Sequence, residues 1–222
     1  MIKDLMKVYK MGRTEVFALR GVNAEIKEGE FVAVVGPSGC GKTTLLNLIG
    51  GIDLPTAGSI IVKGTNICNY SEKELVDYRR RYVGMVFQFF NLVPTLTAYE
   101  NVELPALLAG IEKKAREKRV MELLKSVGMV ERAGHLPDEM SGGEQQRIAI
   151  ATALVNNPAI ILADEPTGEL DKKTGLEILE LFKALQKNEK KTLIVATHDP
   201  RIAEFADRIL HMEDGKITGK KE

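Results

Sequence analysis

The sequence predicts an α/β fold with a largely parallel sheet, and three observations carry that prediction. Short apolar segments of strand length alternate with amphipathic segments of helix length. A glycine-rich loop stands between one such strand and the helix that follows it. A long internal stretch, from about Thr97 to Asn157, is mostly helical in pattern with no convincing strand, and reads as a helical insertion into the α/β core.

Taken in order, Glu15 to Lys27 suggests antiparallel strands flanking the core. The continuous apolar run Phe31–Val35 reads as a strand buried on both faces, and Lys42 to Ile49 opens a helix. Ser59 to Lys63 is a β-branched strand. Ser71 with Glu74 three residues on forms a capping box that starts a helix through Arg81. Val83 to Gln88 is a further strand, and the charged stretch Glu112 to Arg119 lies inside the helical insertion. The sheet resumes at Ala159 to Asp164, continues with a helix near Lys172 to Gln186, and then a strand from Thr192 to His198. Arg208 to Ile217 reads as a hairpin turning at Asp214-Gly215.

Composition narrows the function class. The 222 residues suit one domain with a sizeable core. Lys plus Arg number 31 and so do Asp plus Glu, which gives no overall attraction to nucleic acid or to an anionic membrane. The longest apolar runs are strand-length, far too short to cross a bilayer. Met1-Ile2-Lys3-Asp4 has no signal-peptide pattern. Cys40 and Cys68 form no metal-spaced pair and no disulfide framework, so a reducing cytoplasmic compartment is expected. Any membrane role would come through a partner.

Two segments handle phosphate chemistry. The first is Gly36-Pro37-Ser38-Gly39-Cys40-Gly41-Lys42-Thr43, continuing into Thr44. Its glycines let backbone N–H groups turn inward around phosphate oxygens, and the helix N-terminus behind them favours negative charge. Lys42 is expected at the β- and γ-phosphates of a nucleotide and the Thr43 hydroxyl at Mg²⁺. Asp164 ends an apolar strand, where a carboxylate would hold Mg²⁺ directly or through water. Glu165 follows and could polarise a water that attacks the γ-phosphate. Cys40, near a helix N-terminus, is expected to be a reactive thiol whose alkylation blocks ATP.

The second segment is Ser141-Gly142-Gly143-Glu144, opening a helix that runs to Val155. A capping box explains Ser141 and Glu144. It leaves two glycines unexplained, each costing roughly 1 kcal/mol relative to alanine in a helix. An approaching phosphate would need such bare backbone. The residues alone leave both readings open. Taken singly, His198 would be a structural histidine, Gln88 an ordinary polar residue at a strand end, Tyr9 a surface aromatic and Asp171 a helix N-cap.

Over essentially its full length the chain resembles the nucleotide-binding subunit of ABC transporters. Gly36–Thr43 is similar to the Walker A motif and Met140–Gln146 to the family's signature, with Met140 and Glu144 as mild variants. Ile160–Glu165 resembles Walker B, Gln88 the Q-loop, Glu169-Leu170-Asp171 the D-loop and His198 the switch histidine; Tyr9 falls where an aromatic ring stacks on adenine. The resemblance implies a P-loop NTPase core of the ABC ATPase type: a mainly parallel sheet, N-terminal antiparallel strands and a helical subdomain. The α/β core would comprise about 1–88 and 159–222, with 89–158 as the signature subdomain.

It also implies an ATP-induced homodimer. Lys42, Thr43 and Asp164 of one copy would face Ser141, Gly142 and Gly143 of the other across the γ-phosphate. Glu165 would be the general base, Gln88 a Mg²⁺ contact and His198 a γ-phosphate contact. Glu144 and Asp171 would also belong to the nucleotide-binding residues. Glu169 replaces the small residue usual in relatives and adds a carboxylate near the dimer seam, where it is expected to weaken closure by repulsion. The apolar run Val86–Pro94 with Thr97–Pro105 suits docking of an integral membrane permease. It resembles the subgroup serving lipoprotein-releasing, macrolide-exporting and cell-division permeases, which would hold the chain at the cytoplasmic face of the membrane without inserting it. An ATPase signalling through its permease without transport shares every motif. A soluble relative acting on DNA or ribosomes lacks support from charge or coiled coil, and a small-molecule kinase would leave Ser141-Gly142-Gly143 unexplained.

Overall fold

The computed structural model describes residues 1–12 and 14–219. The chain opens with an antiparallel hairpin, β1 (Ile2–Met11) and β2 (Thr14–Ala24), then enters β3 (Phe31–Val35) and α1 (Lys42–Ile49). Next come β4 (Ala57–Val62), β5 (Thr65–Asn66), α2 (Glu72–Tyr82) and β6 (Val83–Val86). Three helices follow, α3 (Ala98–Leu108), α4 (Lys113–Ser126) and α5 (Gly142–Leu154). The remainder alternates: β7 (Ile160–Asp164), α6 (Lys172–Glu189), β8 (Thr192–Thr197), α7 (Pro200–Phe205), and the hairpin β9 (Arg208–Glu213) and β10 (Lys216–Ile217).

Two sheets result, one antiparallel in the order β2-β1-β4-β5, the other in the order β10-β9-β3-β8-β7-β6. In the second, β9, β3, β8, β7 and β6 all run parallel. Side chains alternate across a strand, and here the alternation divides two cores. Phe31, Ala33, Ile161, Ala163, Leu193 and Val195 face a core shared with α3, α5 and α6. Val32, Val34, Leu162, Ile194 and Ala196 face a second core closed by α1 and the antiparallel sheet. Burial on both faces is why these strands read as unbroken apolar runs.

The parallel direction has a functional consequence. It brings the segments leaving the carboxyl ends of β3, β6, β7 and β8 to one edge of the sheet, the place where α/β folds bind ligands. Those segments carry Gly36–Thr43, Gln88, Asp164–Glu165 and His198.

Several expected boundaries shift. The strand expected to reach Gln88 stops at Val86, and Gln88 lies in a turn. The strand expected at Ser59–Lys63 begins at Ala57, and the expected Lys172 helix runs on to Glu189. The N-terminal strands start at Ile2, well before Glu15.

Candidate nucleotide site

Each helix of this protein leaves its first backbone N–H groups without intrahelical partners. A side chain caps that end of α2 through α7, the caps being Ser71, Thr97, Glu112, Ser141, Asp171 and Asp199. Among the described residues, α1 alone of the seven helices has no side-chain cap. Its N-cap is Gly41 at φ 106°, and a Cβ there would stand 2.5 Å from the Ala18 carbonyl oxygen, so only glycine fits. The uncapped amides and the helix field leave an anion-binding end at the glycine loop.

Lys42 is buried, and its ammonium bonds the carbonyls of Gly36 at 2.8 Å and Pro37 at 3.1 Å. The loop is clamped from behind by the C-terminal hairpin. The Gly215 amide donates to Cys40 O at 3.0 Å, and the Arg20 amide donates to Gly215 O at 2.8 Å. Pro37, Ser38 and Gly39 are exposed, whereas Cys40 packs into the second core at 5% exposure. That burial overturns the expectation of an accessible thiol; Cys40 belongs to the loop through its backbone.

Thr43 donates its hydroxyl to Asp164 Oδ2 at 2.7 Å. Burial, reinforced by the neighbouring Glu165 charge, pushes the Asp164 carboxyl above the usual aspartate range; the Thr43 bond and Lys42 oppose this. A hydroxyl and a carboxylate oxygen side by side are hard donors of the kind Mg²⁺ takes, so these residues fit that ion.

Glu165 sits at φ 47°, a left-handed conformation costly for a side chain of its kind, with its amide bonded to Ala196 O at 2.9 Å. Its carboxylate is gripped by His198 Nδ1 at 2.9 Å, Thr197 Oγ1 at 3.1 Å and the His198 amide at 3.3 Å, with Lys42 Nζ at 3.8 Å. A carboxylate only accepts, so His198 Nδ1 carries the proton in this bond. Strain held in place by this many bonds points to a functional constraint.

Gln88 lies beside the segment after β7, its Nε2 donating to Glu169 Oε1 at 2.8 Å. Tyr9 lies beside the other end of the loop. Its hydroxyl donates to Asp53 Oδ2 at 2.9 Å, and Lys7 Nζ stands 4.8 Å over its ring. Burial pushes the Tyr9 phenol above its ordinary value; a bond with Thr44 opposes this and the Asp53 carboxylate adds to it.

The signature segment is elsewhere. Ser141 and Glu144 form the expected capping box, with Ser141 N at 2.8 Å and Ser141 Oγ at 2.9 Å from Glu144 Oε2. These bonds, led by the Ser141 amide and helped by Arg132 at 2.9 Å, hold the Glu144 carboxyl below its ordinary range. Gly143 gains an explanation that neither sequence reading offered. A Cβ on Gly143 would collide with Thr174 Cγ2, whereas one on Gly142 would make only ordinary contact with Phe90 at 3.4 Å. Among the described residues, the Gly142 and Gly143 amides make no hydrogen bond, and none joins Ser141–Gln146 to Gly36–Thr44. Asp171 caps α6 through Lys173 N at 2.9 Å and Thr174 N at 3.1 Å.

The structure thus brings Lys42, Thr43, Asp164, Glu165 and His198 into one bonded cluster, and leaves Ser141–Gly143 as a separate helix tip. Sequence reasoning missed Thr197, which holds Glu165, and Asp53, which holds Tyr9. It also missed the role of Gln146, which is fully buried and donates to Pro166 O at 2.7 Å, tying the signature helix to the segment just after Glu165. A glutamine in the apolar face of a helix was the available signal.

Comparison with known proteins agrees with this geometry. Residues 19–168 match the ABC transporter family. An uncharacterized ABC transporter ATP-binding protein of Methanocaldococcus jannaschii, MJ0796, is 49% identical over 225 residues, covering 100% of this chain and 96% of its own. The lipoprotein-releasing system ATP-binding protein LolD of Bacteroides fragilis is 49% identical over 199 residues, covering 90% of this chain and 92% of its own. Among solved structures, a dimeric post-hydrolysis state of the cassette MJ0796 bound to ADP and Pi superposes with a TM-score of 0.92 at 46% identity, covering 100% of this chain and 97% of that one. With its glycine loop, carboxylate pair and histidine set along one sheet edge, the chain belongs to the ABC transporter family and is an ATP-binding ATPase.

Proposed function

We propose that this ATPase works as a pair, two copies closing head to tail on two ATP molecules to drive an integral membrane permease from the cytoplasmic side. The observation that carries this reading is the split machinery. Among the described residues, the Gly142 and Gly143 amides stand unbonded at a helix tip that makes no hydrogen bond to the chain's own phosphate loop. A second copy's γ-phosphate would satisfy them. The dimeric cassette bound to ADP and Pi supports this reading.

Within each site, the Gly36–Thr44 backbone would wrap the phosphates and Lys42 would leave its carbonyl partners for the β- and γ-oxygens. Thr43, Asp164 and Gln88 would hold Mg²⁺, which when bound neutralises charge on the phosphates. Glu165 would take the proton from the attacking water, with His198 contacting the γ-phosphate. Tyr9 would stack on adenine with the ring face that Lys7 leaves open. Glu144 and Asp171 would border the shared surface. Residues 1–88 and 159–222 form the ATP-binding core in this reading, and 89–158 the signature subdomain. Since ATP contacts both copies, closure persists while the γ-phosphate is bonded and ends on cleavage.

The permease would dock on the groove lined by Val76, Val83, Met85, Pro105 and Leu108. Among the described residues no helix is long and apolar enough to cross a membrane. The likeness to LolD supports lipoprotein or peptide extraction or export as the work done. Glu165→Gln tests the shared site: ATP binding is retained, turnover falls by about 10²–10⁴-fold, and light scattering reports a dimer with ATP. A turnover-dead protein that stays monomeric at every ATP concentration refutes the reading.

A further inference from the structure

The contact between Gln88 and Glu169 has a chemical asymmetry. The segment after β6 runs without regular structure to α3, and Phe90 (φ 58°) and Asn91 (φ 50°) are both left-handed. Gln88 itself lies in a turn outside any strand or helix. Its amide lies against the 168–169 backbone: a Cβ on Gly168 would stand 3.4 Å from Nε2 and 3.6 Å from Cδ. Among the described residues, Glu169 Oε1 is the one hydrogen-bond partner of that amide, at 2.8 Å.

A glutamine amide has a donor end and an acceptor end, and a carboxylate is acceptor only. Glu169 therefore fixes which end faces it. The NH₂ group must turn toward the carboxylate, and the carbonyl oxygen is left as the free end. A magnesium ion takes oxygen and not an amide NH₂.

From this we infer that Glu169 is a positioning residue: it selects the orientation in which Gln88 presents its carbonyl oxygen to the metal bound by Thr43 and Asp164. This rests on the proposed role of Gln88 at that metal. A small neutral side chain at 169 leaves both amide orientations open. Glutamine there can donate as well as accept, so it too loses the selection while keeping the size.

The test uses Mn²⁺ in place of Mg²⁺, with the non-hydrolysable AMP-PNP and the full chain. Free Mn²⁺ is read by electron paramagnetic resonance, which needs no turnover. Glu169→Ala and Glu169→Gln each weaken Mn²⁺ affinity at least about 2-fold, the factor for leaving one of two amide orientations competent, while AMP-PNP affinity without metal is unchanged. Gln88→Ala weakens it at least as much, and adding Glu169→Ala to it costs nothing further. Additive losses overturn the inference, because Glu169 then acts by charge alone. So does unchanged or tighter Mn²⁺ binding in Glu169→Ala when Gln88→Ala is weakened, or a Glu169→Gln protein that binds like the parent. Unchanged affinity in Gln88→Ala removes the proposed role of Gln88 itself, and the inference with it.

Discussion

Gly143→Ala sets helix propensity against packing. Alanine should favour helix α5 by up to about 1 kcal/mol over glycine, and by less in its first turn. The new methyl, however, meets Thr174 Cγ2 at the start of α6 with no room for it. Overpacking of this kind costs about 1–3 kcal/mol, so the clash wins and the substitution destabilises by about 1–2 kcal/mol. Thr174 also bonds Asp171 through its hydroxyl at 2.5 Å. Thr174→Ser keeps that bond and removes only the offending methyl. Gly143→Ala with Thr174→Ser should therefore recover most of the lost stability, measured by urea unfolding with far-UV circular dichroism. A stabilised single variant, or a double variant as weak as the single, refutes the packing account. The rescued protein, carried in a Glu165→Gln background, then separates the two reasons for the glycine. If it still fails to dimerise with ATP, bare backbone at the tip is needed for the partner's phosphate as well as for Thr174.

Two further outcomes follow from burial and charge. Asp199 accepts bonds from Arg201 Nη2 at 2.6 Å, Nε at 2.9 Å and the Arg201 amide at 2.9 Å, and these hold its carboxyl below the ordinary range against the pull of burial. A lowered native value stabilises the fold above the unfolded value of about 3.9 and ceases to do so as pH drops through the native one. Asp199→Asn should thus cost roughly 1–3 kcal/mol at neutral pH, with the gap to the parent closing below about pH 4 in urea midpoints taken across pH; a pH-independent gap contradicts the assignment. Cys40, packed in the second core, should react with maleimide only slowly in the native protein, at one rate with and without ATP, by intact-mass analysis; fast labelling that ATP suppresses would contradict its burial.

What the sequence makes legible is local. Phe31–Val35 and Lys42–Ile49 match strand and helix residue for residue because an apolar run, a glycine loop and a helix start adjoin. The turn at Asp214-Gly215 and the caps at Ser71, Ser141 and Asp171 are likewise short-range chemistry. The first strand escapes because Ile2–Met11 interleaves lysines with its apolar residues, and Asp4 at φ 46° breaks the alternation. The six-residue α7 has too few turns to show a period. The strand ends that carry Asp164 and His198 can be found from sequence because apolar runs announce them. Bonds between distant segments cannot: Gln88 with Glu169 spans 81 positions and Tyr9 with Asp53 spans 44, and neither leaves a local pattern.

The brace that Gly215 places behind Cys40, relayed to Arg20, matters during synthesis. The ribosome delivers the glycine loop well before its brace. Until Gly215 emerges the Cys40 carbonyl is untethered, and β3, which leads into the loop, lacks its late partner β9 as well. Firm nucleotide capture would thereby wait until Gly215 has emerged, so shorter nascent chains would be poor competitors for ATP.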